Sequence, residues 1–251
     1  MNKKEGYMKY IVLIILLMVM CNLLGDNAAE ILKRIDDNMF SNSQIVESRM
    51  VINGRRGSRE ISTRSWSKGT NDSFTEYLNP PREAGTKMLK LGDDLWIYDK
   101  NSDRIIQMSG HLLRQSVNGS DLSYEDFMEE TSYQERYNAE ILGEEQYDGR
   151  ECIVLMLTAK EDGITYYQQK MWVDQEYWLP LQTELIGSSG SVLKRIILSD
   201  MRQVKGRWYP FNIHYKDVLN KKSNGTDVVI DKIEFDIEIA ASRLTKAQLR
   251  K

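Results

Sequence analysis

Histidine and cysteine, which supply most metal ligands, general bases and reactive thiols, are nearly absent from this chain. Among 251 residues there are two histidines, His111 and His214, and two cysteines, Cys21 and Cys152. Two cysteines cannot frame a multiply stapled fold, and Cys21, His111, Cys152 and His214 are scattered without the C-x-x-C or H-x-x-x-H spacing of a structural zinc site. There is no G-x-S-x-G elbow, H-E-x-x-H, glycine-rich phosphate loop or paired C-x-x-C, so hydrolase, metalloprotease, nucleotide and thiol-redox chemistry all lack a signature. His111 follows a strand, where a lone histidine is ordinarily a surface or packing residue, and His214 falls on the polar face of its strand. The GSSG stretch at 187–190 is a loop with no neighbour able to activate a serine. Charge of one sign is also lacking. With 34 Lys and Arg against 37 Asp and Glu, the formal charge of -3 offers no general attraction to nucleic acid or anionic headgroups. Neither catalysis nor a cofactor is expected.

Long apolar runs are confined to one place. Lys3, Lys4 and Lys9 precede the apolar run at 11–20, and Asp26 and Asn27 follow soon after. About ten apolar residues are too few to span a hydrocarbon layer but suit an export signal. Residues 1–25 are therefore expected to be a signal peptide and 26–251 the mature domain, placed in the periplasm. Cys21 closes the run, but Met20 stands where a lipoprotein signal needs a small residue, so cleavage between 21 and 29 is favoured over a lipid anchor at Cys21. Cys152, in the dense apolar strand ECIVLML, would then be a core thiol.

What the chain does have is strand periodicity. After an amphipathic helix carrying Ala28, Ile31, Leu32, Ile35 and Met39 on one face, alternating segments run from Val46 to Met108 and resume from Ala139 to Ile239. Asn53-Gly54, Asp148-Gly149, Lys205-Gly206 and Asn224-Gly225 mark tight connections. In the last strands, Tyr209, Phe211, Ile213 and Tyr215 form one apolar face, as do Val229, Ile233, Phe235, Ile237 and Ile239. The tail at 242–251 reads as a short polar end. The fold class is mainly β: an unclosed antiparallel barrel whose apolar face needs covering by helices.

One stretch breaks the pattern. Residues 115–130, QSVNGSDLSYEDFMEE, are helical in character, with Ser123 and Asp126 as a cap pair and Tyr124, Phe127 and Met128 on one face. Glu125, Asp126, Glu129 and Glu130 form the opposite face, which reads as solvated. This insert is expected to be a lid.

LGDDLWIYDKNSDRI at 91–105 resembles the G-x-x-L-W-x-Y hairpin of periplasmic lipoprotein carriers of the LolA type. GRRGSREISTRSWSKG, NPPREAGTKMLKLGDDLWIYD, LRQSVNGSDLSYEDF and GRWYPFNIHYKDV resemble the related outer membrane lipoprotein-sorting proteins, over most of the mature chain. The resemblance implies a half-barrel with a lid over a hydrophobic cavity for acyl chains. It implies a non-enzymatic monomer whose partners are the acyl chains of a lipoprotein or lipid, an inner-membrane transporter and an outer-membrane acceptor. A non-catalytic envelope protein serving a transporter of the resistance-nodulation-division type is the alternative. The candidate cavity and lid residues are Trp96, Tyr98, Ile106, Met108, Tyr124, Phe127, Met128, Tyr209 and Phe211. In the best-known carriers an early-strand arginine latches the lid; Arg49, Arg55, Arg56, Arg59 and Arg64 are all available, and the sequence selects none.

Overall fold

The computed structural model describes residues 28–129 and 132–251; the expected export segment and Cys21 lie outside them. A helix over 28–39 (α1) opens the described chain. Six strands follow: β1 (Ser43–Gly54), β2 (Gly57–Lys68), β3 (Asp72–Asn79), β4 (Lys87–Leu91), β5 (Asp94–Asp99) and β6 (Arg104–Met108). After an insert at 109–136 that holds α2 (Tyr124–Met128) and α3 (Tyr133–Arg136) come seven more. These are β7 (Tyr137–Tyr147), β8 (Arg150–Ala159), β9 (Gln168–Asp174), β10 (Pro180–Ile186), β11 (Val192–Val204), β12 (Arg207–Asp217) and β13 (Ser223–Phe235).

All thirteen strands form one antiparallel sheet in the order β6-β5-β4-β3-β2-β1-β13-β12-β11-β10-β9-β8-β7. Each strand pairs with its chain neighbour except where β1 meets β13, and β6 and β7 are left as the two free edges. The sheet is thus an unclosed half-barrel, and the insert is the piece of chain that joins one free edge to the other. Hairpins are tight where the sequence supplies residues tolerant of positive φ: Asp148-Gly149 at 51° and 75°, and Lys205-Gly206 at 50° and 83°.

Helices cover the inner face of both halves. Ile31, Leu32 and Ile35 of α1, all buried, pack on Leu155, Leu157, Met171 and Val173 of β8 and β9. The insert packs Val117, Leu122, Tyr124 and Phe127 on Met50, Ile52, Ile61 and Tyr77 of β1–β3. Asp36 joins the two covers: it accepts from the Ser132 hydroxyl at 2.6 Å and from the Tyr133 and Gln134 amides at 3.0 and 3.2 Å, at the start of α3. Burial raises the Asp36 pKa, against the pull of those three donors.

Three expectations about the late chain are corrected, the first being the turn at Asn224-Gly225, which lies inside β13, the connection from β12 running over 218–222. A β-bulge between β1 and β13 shifts the register after Glu47, so Val228 and Ile230, not Val229, share a cluster with Ile233 and Phe235. The tail is not a free polar end. Leu249 is fully buried against Trp66, Phe74, Leu89 and Trp96 on the outer face. Lys246 Nζ lies 3.7 Å from the Trp96 ring centre and the Arg243 guanidinium 4.4 Å from that of Trp66. Long cationic stems cover the aromatic surface while their charged ends stay wet.

Candidate functional site

Between the insert and the inner face lie two adjoining chambers. One, of about 160 Å³, is floored by Met50, Met88, Ile213, Val228 and Ile230 and roofed by Leu122 and Phe127. The other, of about 170 Å³, lies toward α1 and α3, between Met39, Phe40, Tyr133, Leu185 and Leu198. Gln44, Tyr209, Ile213 and Tyr215 belong to both and form the shared wall. The chambers exist because a curved sheet cannot fill its own concavity, and a five-residue α2 with short 3-10 turns around it is too small to plug it.

The candidate residues divide by face. Phe127 and Tyr209 line the first chamber, and Tyr209 the second as well. Met108 is buried with Met88 and Leu95 under Tyr124, Phe127 and Met128, so these four meet where the lid rests on β4–β6. Ile106 lies beside Ile97 on edge strand β6 and is 44% exposed, outside either chamber. Phe211 packs in the cluster around Phe235, with the Arg202 guanidinium 4.4 Å from its ring centre, and lines neither chamber. Trp96 and Tyr98 are placed elsewhere altogether. They belong to the outer-face cluster under the C-terminal tail, because alternation along β5 turns Leu95 and Ile97 inward and Trp96 and Tyr98 outward.

The acid side of the insert is also not where the sequence suggested. Asp126 and Lys194 of β11 form an ion pair with side chains only 10% and 11% exposed, and the Tyr166 hydroxyl donates to the same carboxylate. Burial first, then the charge of Asp126, pushes the Tyr166 pKa far up. Glu125 accepts from the Thr165 hydroxyl, and Glu129 stands 3.4 Å from Arg136. Periodicity reports that these carboxylates share a side; it does not report that the loop before β9 and strand β11 close over that side. Glu130 lies outside the described residues.

Both ends of the lid helix are therefore gripped from the sheet. At the N-terminal end the Ser123 amide donates to Asp126 Oδ2 at 2.6 Å, the expected cap, and Lys194 Nζ reaches Ser123 Oγ at 3.2 Å. At the C-terminal end buried Lys90 of β4 donates to the carbonyls of Phe127 at 3.1 Å and Met128 at 3.4 Å, where the helix dipole favours a cation. Upstream, the buried carboxylate of Asp121 ties the insert to the β12–β13 hairpin through the Asp217 amide at 2.9 Å, Ser223 Oγ at 2.5 Å and Thr226 Oγ1 at 3.0 Å. Of the five arginines available for a latch, Arg59 reaches the insert, donating to the Asn118 carbonyl. Arg49 instead pairs with Asp231 at 2.9 Å and Glu60 at 3.2 Å, and Arg64 lies over Trp66. The lysines and the buried aspartate were missed because Lys90 in KMLKL and Asp121 in NGSDL carry no motif. A lysine inside an otherwise apolar strand was the available clue.

Beside the insert a wider polar cleft of about 880 Å³ opens between these latch residues and the loops bearing Gly163, Ser188 and Leu219. Among the described residues no cluster of three or more His, Cys, Asp or Glu side chains could hold a metal. His111 sits exposed on a 3-10 turn and His214 pairs with Asp227 at 2.8 Å. Cys152 is a fully buried free thiol whose pKa burial raises to about 11.

Comparison with solved structures finds the same fold in three proteins. An outer membrane lipoprotein-sorting protein domain from Vibrio parahaemolyticus superposes with a TM-score of 0.79 at 19% identity, over 90% of this chain and 100% of that one. A DUF1329 family protein from Desulfovibrio piger gives 0.81 at 22%, over 90% and 99%. A LolA superfamily protein from Nitrosomonas europaea gives 0.74 at 22%, over 88% and 98%. A family model described as "-like: Uncharacterized protein" matches residues 69–251, and the chain belongs to that family. A curated protein of Methanocaldococcus jannaschii, described as uncharacterized, is 36% identical over 96 residues; the match spans 38% of this chain and 27% of that protein.

Proposed function

We propose that this protein is an exported carrier that shields the acyl chains of a lipoprotein or lipid in the chambers beneath its insert while they cross the periplasm to the outer membrane. The observation that carries this reading is the connection of the two free sheet edges by a chain segment that roofs a concavity with an apolar floor of Met50, Met88, Ile213, Val228 and Ile230 and is held there by a few discrete contacts. An acyl chain exposes about 0.8 kcal/mol of unfavourable hydration per methylene, so its passage through water needs a shield of this kind. Chambers of about 160 and 170 Å³ are each smaller than the roughly 300 Å³ at which ordinary ligand pockets begin. Loading therefore requires the insert to lift, which joins the chambers across Tyr209 and Tyr215. Phe127, Tyr209 and the adaptable Met50 and Met88 would line the enlarged space, and Tyr124, Met108 and Met128 the seam where the lid seats.

Donor and acceptor would be membrane-bound, as in the family resembled, and the carrier itself a monomer. The test is native mass spectrometry of protein taken from its own envelope, together with titration of a fluorescent fatty-acid probe. Co-purification of lipid or acylated peptide, displaced by detergent, is the expected result. A protein that carries no lipid and leaves the probe unbound at micromolar concentration overturns the carrier reading in favour of a transporter-associated interaction protein.

A further inference from the structure

We infer that the cargo is a hydroxylated lipid whose hydroxyl group enters the chamber under α2 and is bound by the side chains of β1–β3. This deepens the carrier reading and rests on it. The wall of that chamber is not hydrocarbon throughout. Ser48, Thr63, Ser65, Ser67, Ser73 and Thr75 all line it, and the register sets them opposite one another across three strands, Ser48 by Thr63, Ser65 by Thr75 and Ser67 by Ser73. Two of these pairs are hydrogen-bonded, at 3.1 and 2.8 Å. Each hydroxyl offers one proton and two lone pairs, so a bonded pair keeps a donor and acceptors for a third group. A saturated chain pressed against this stripe would cover those groups and return nothing.

A second observation points the same way. Gln44 lines both chambers, and its buried Oε1 has no hydrogen-bond partner among the described residues. A buried acceptor in the wall of a cavity calls for a donor from the occupant. In this chamber the required donor is neutral, since no charged side chain lines it, and the two carboxylates lining the adjoining chamber are already paired, Asp126 with Lys194 and Glu129 with Arg136. That chemistry matches an alcohol and not a phosphate, carboxylate or ammonium, any of which would be desolvated here without a counter-charge. With its hydroxyl on Gln44 and the serine–threonine stripe, the remaining hydrocarbon would lie on Met50, Ile213, Val228 and Ile230.

The experiment is displacement of a bound fluorescent fatty-acid probe from the full mature chain by stearate and by 12-hydroxystearate. These share a carboxylate and chain length and differ in one mid-chain hydroxyl. The hydroxylated acid is expected to displace the probe at about tenfold lower concentration. Gln44→Leu and the double variant Ser65→Ala with Thr75→Val should each reduce that preference below about twofold, because the hydroxylated acid loses its partners while stearate, relieved of covering unsatisfied polar groups, competes at lower concentration than before. Thr75→Val keeps side-chain shape, so an unchanged urea midpoint there guards against a folding defect. Equal competition by the two acids in the parent chain overturns the inference and leaves the carrier reading standing, as does a preference that survives in both variants. Failure of the probe itself to bind removes both.

Discussion

At the scale of single residues, the unusual feature is charge placed inside. Lys90 is 4% exposed and spends its protons on the carbonyls of Thr70, Phe127 and Met128. Hydrogen bonds to a charged group contribute about 1.5–3 kcal/mol. Lys90→Met should therefore cost about 2 kcal/mol in urea unfolding, and amide exchange should quicken at 124–129 more than in the sheet. Uniform quickening would mean that Lys90 supports the barrel and not the lid. Glu129 behaves in the opposite sense. Burial raises its pKa, against the pull of Arg136 and with Glu125 and Asp126 adding to the rise. The folded state thus holds this proton more tightly than the unfolded chain does. The stabilisation from that proton is complete below the ordinary glutamate value of 4.5 and fades as pH climbs through the raised one. Glu129→Gln should consequently raise the urea midpoint at neutral pH, and the gain should vanish when both proteins are compared in acid. A variant that is less stable at every pH would show that the contact to Arg136 outweighs the desolvation.

At the scale of elements, the insert and the strands below it differ in what holds them. Phe127 is partly exposed and touches two clusters at their margin, whereas Phe235 is fully buried among Tyr209, Phe211, Ile230 and Ile233. An unpaired carboxylate is costly in both places, but the lid can swing away from it and the sheet cannot. Phe127→Glu is expected to lower acyl-probe affinity at least tenfold at a stability cost of about 1–2 kcal/mol, while Phe235→Glu should cost upwards of about 4 kcal/mol. Equal destabilisation by the two would make the insert part of the core. Asp121→Ala tests the other end of the same element. It frees the Asp217 amide and the Ser223 and Thr226 hydroxyls together, and should open the cleft beside the insert with a rise in protease cleavage at 115–123.

At the scale of the whole molecule, an unclosed sheet has a stability gradient built into its topology. β1 and β13 sit at the centre of the thirteen-strand order, and β6 and β7 have a partner on one side only. Native-state hydrogen exchange should therefore show the slowest amides in β1, β13 and β12, intermediate ones in β8 to β10, and the fastest in β6, β7 and the insert that joins them. Fastest exchange at the centre would contradict the pairing.

The alternation along each strand, the glycine-bearing turns and the helix face of Ile31, Leu32 and Ile35 are local, and they determined by themselves that this chain forms an antiparallel meander with helical covers and an insert between two strands. Which face of a strand looks inward was not decided locally. β4, Lys87–Leu91, is buried on both sides, so alternation there distinguishes two faces without ranking them, and Trp96 was equally eligible for either. The tertiary structure made the choice by laying the C-terminal tail over one face and the insert over the other. It also brought Lys90, Lys194 and Tyr166 to a helix tens of residues away in the chain. An ion pair or a buried hydroxyl depends on distances in space, and spacing along a sequence does not report them.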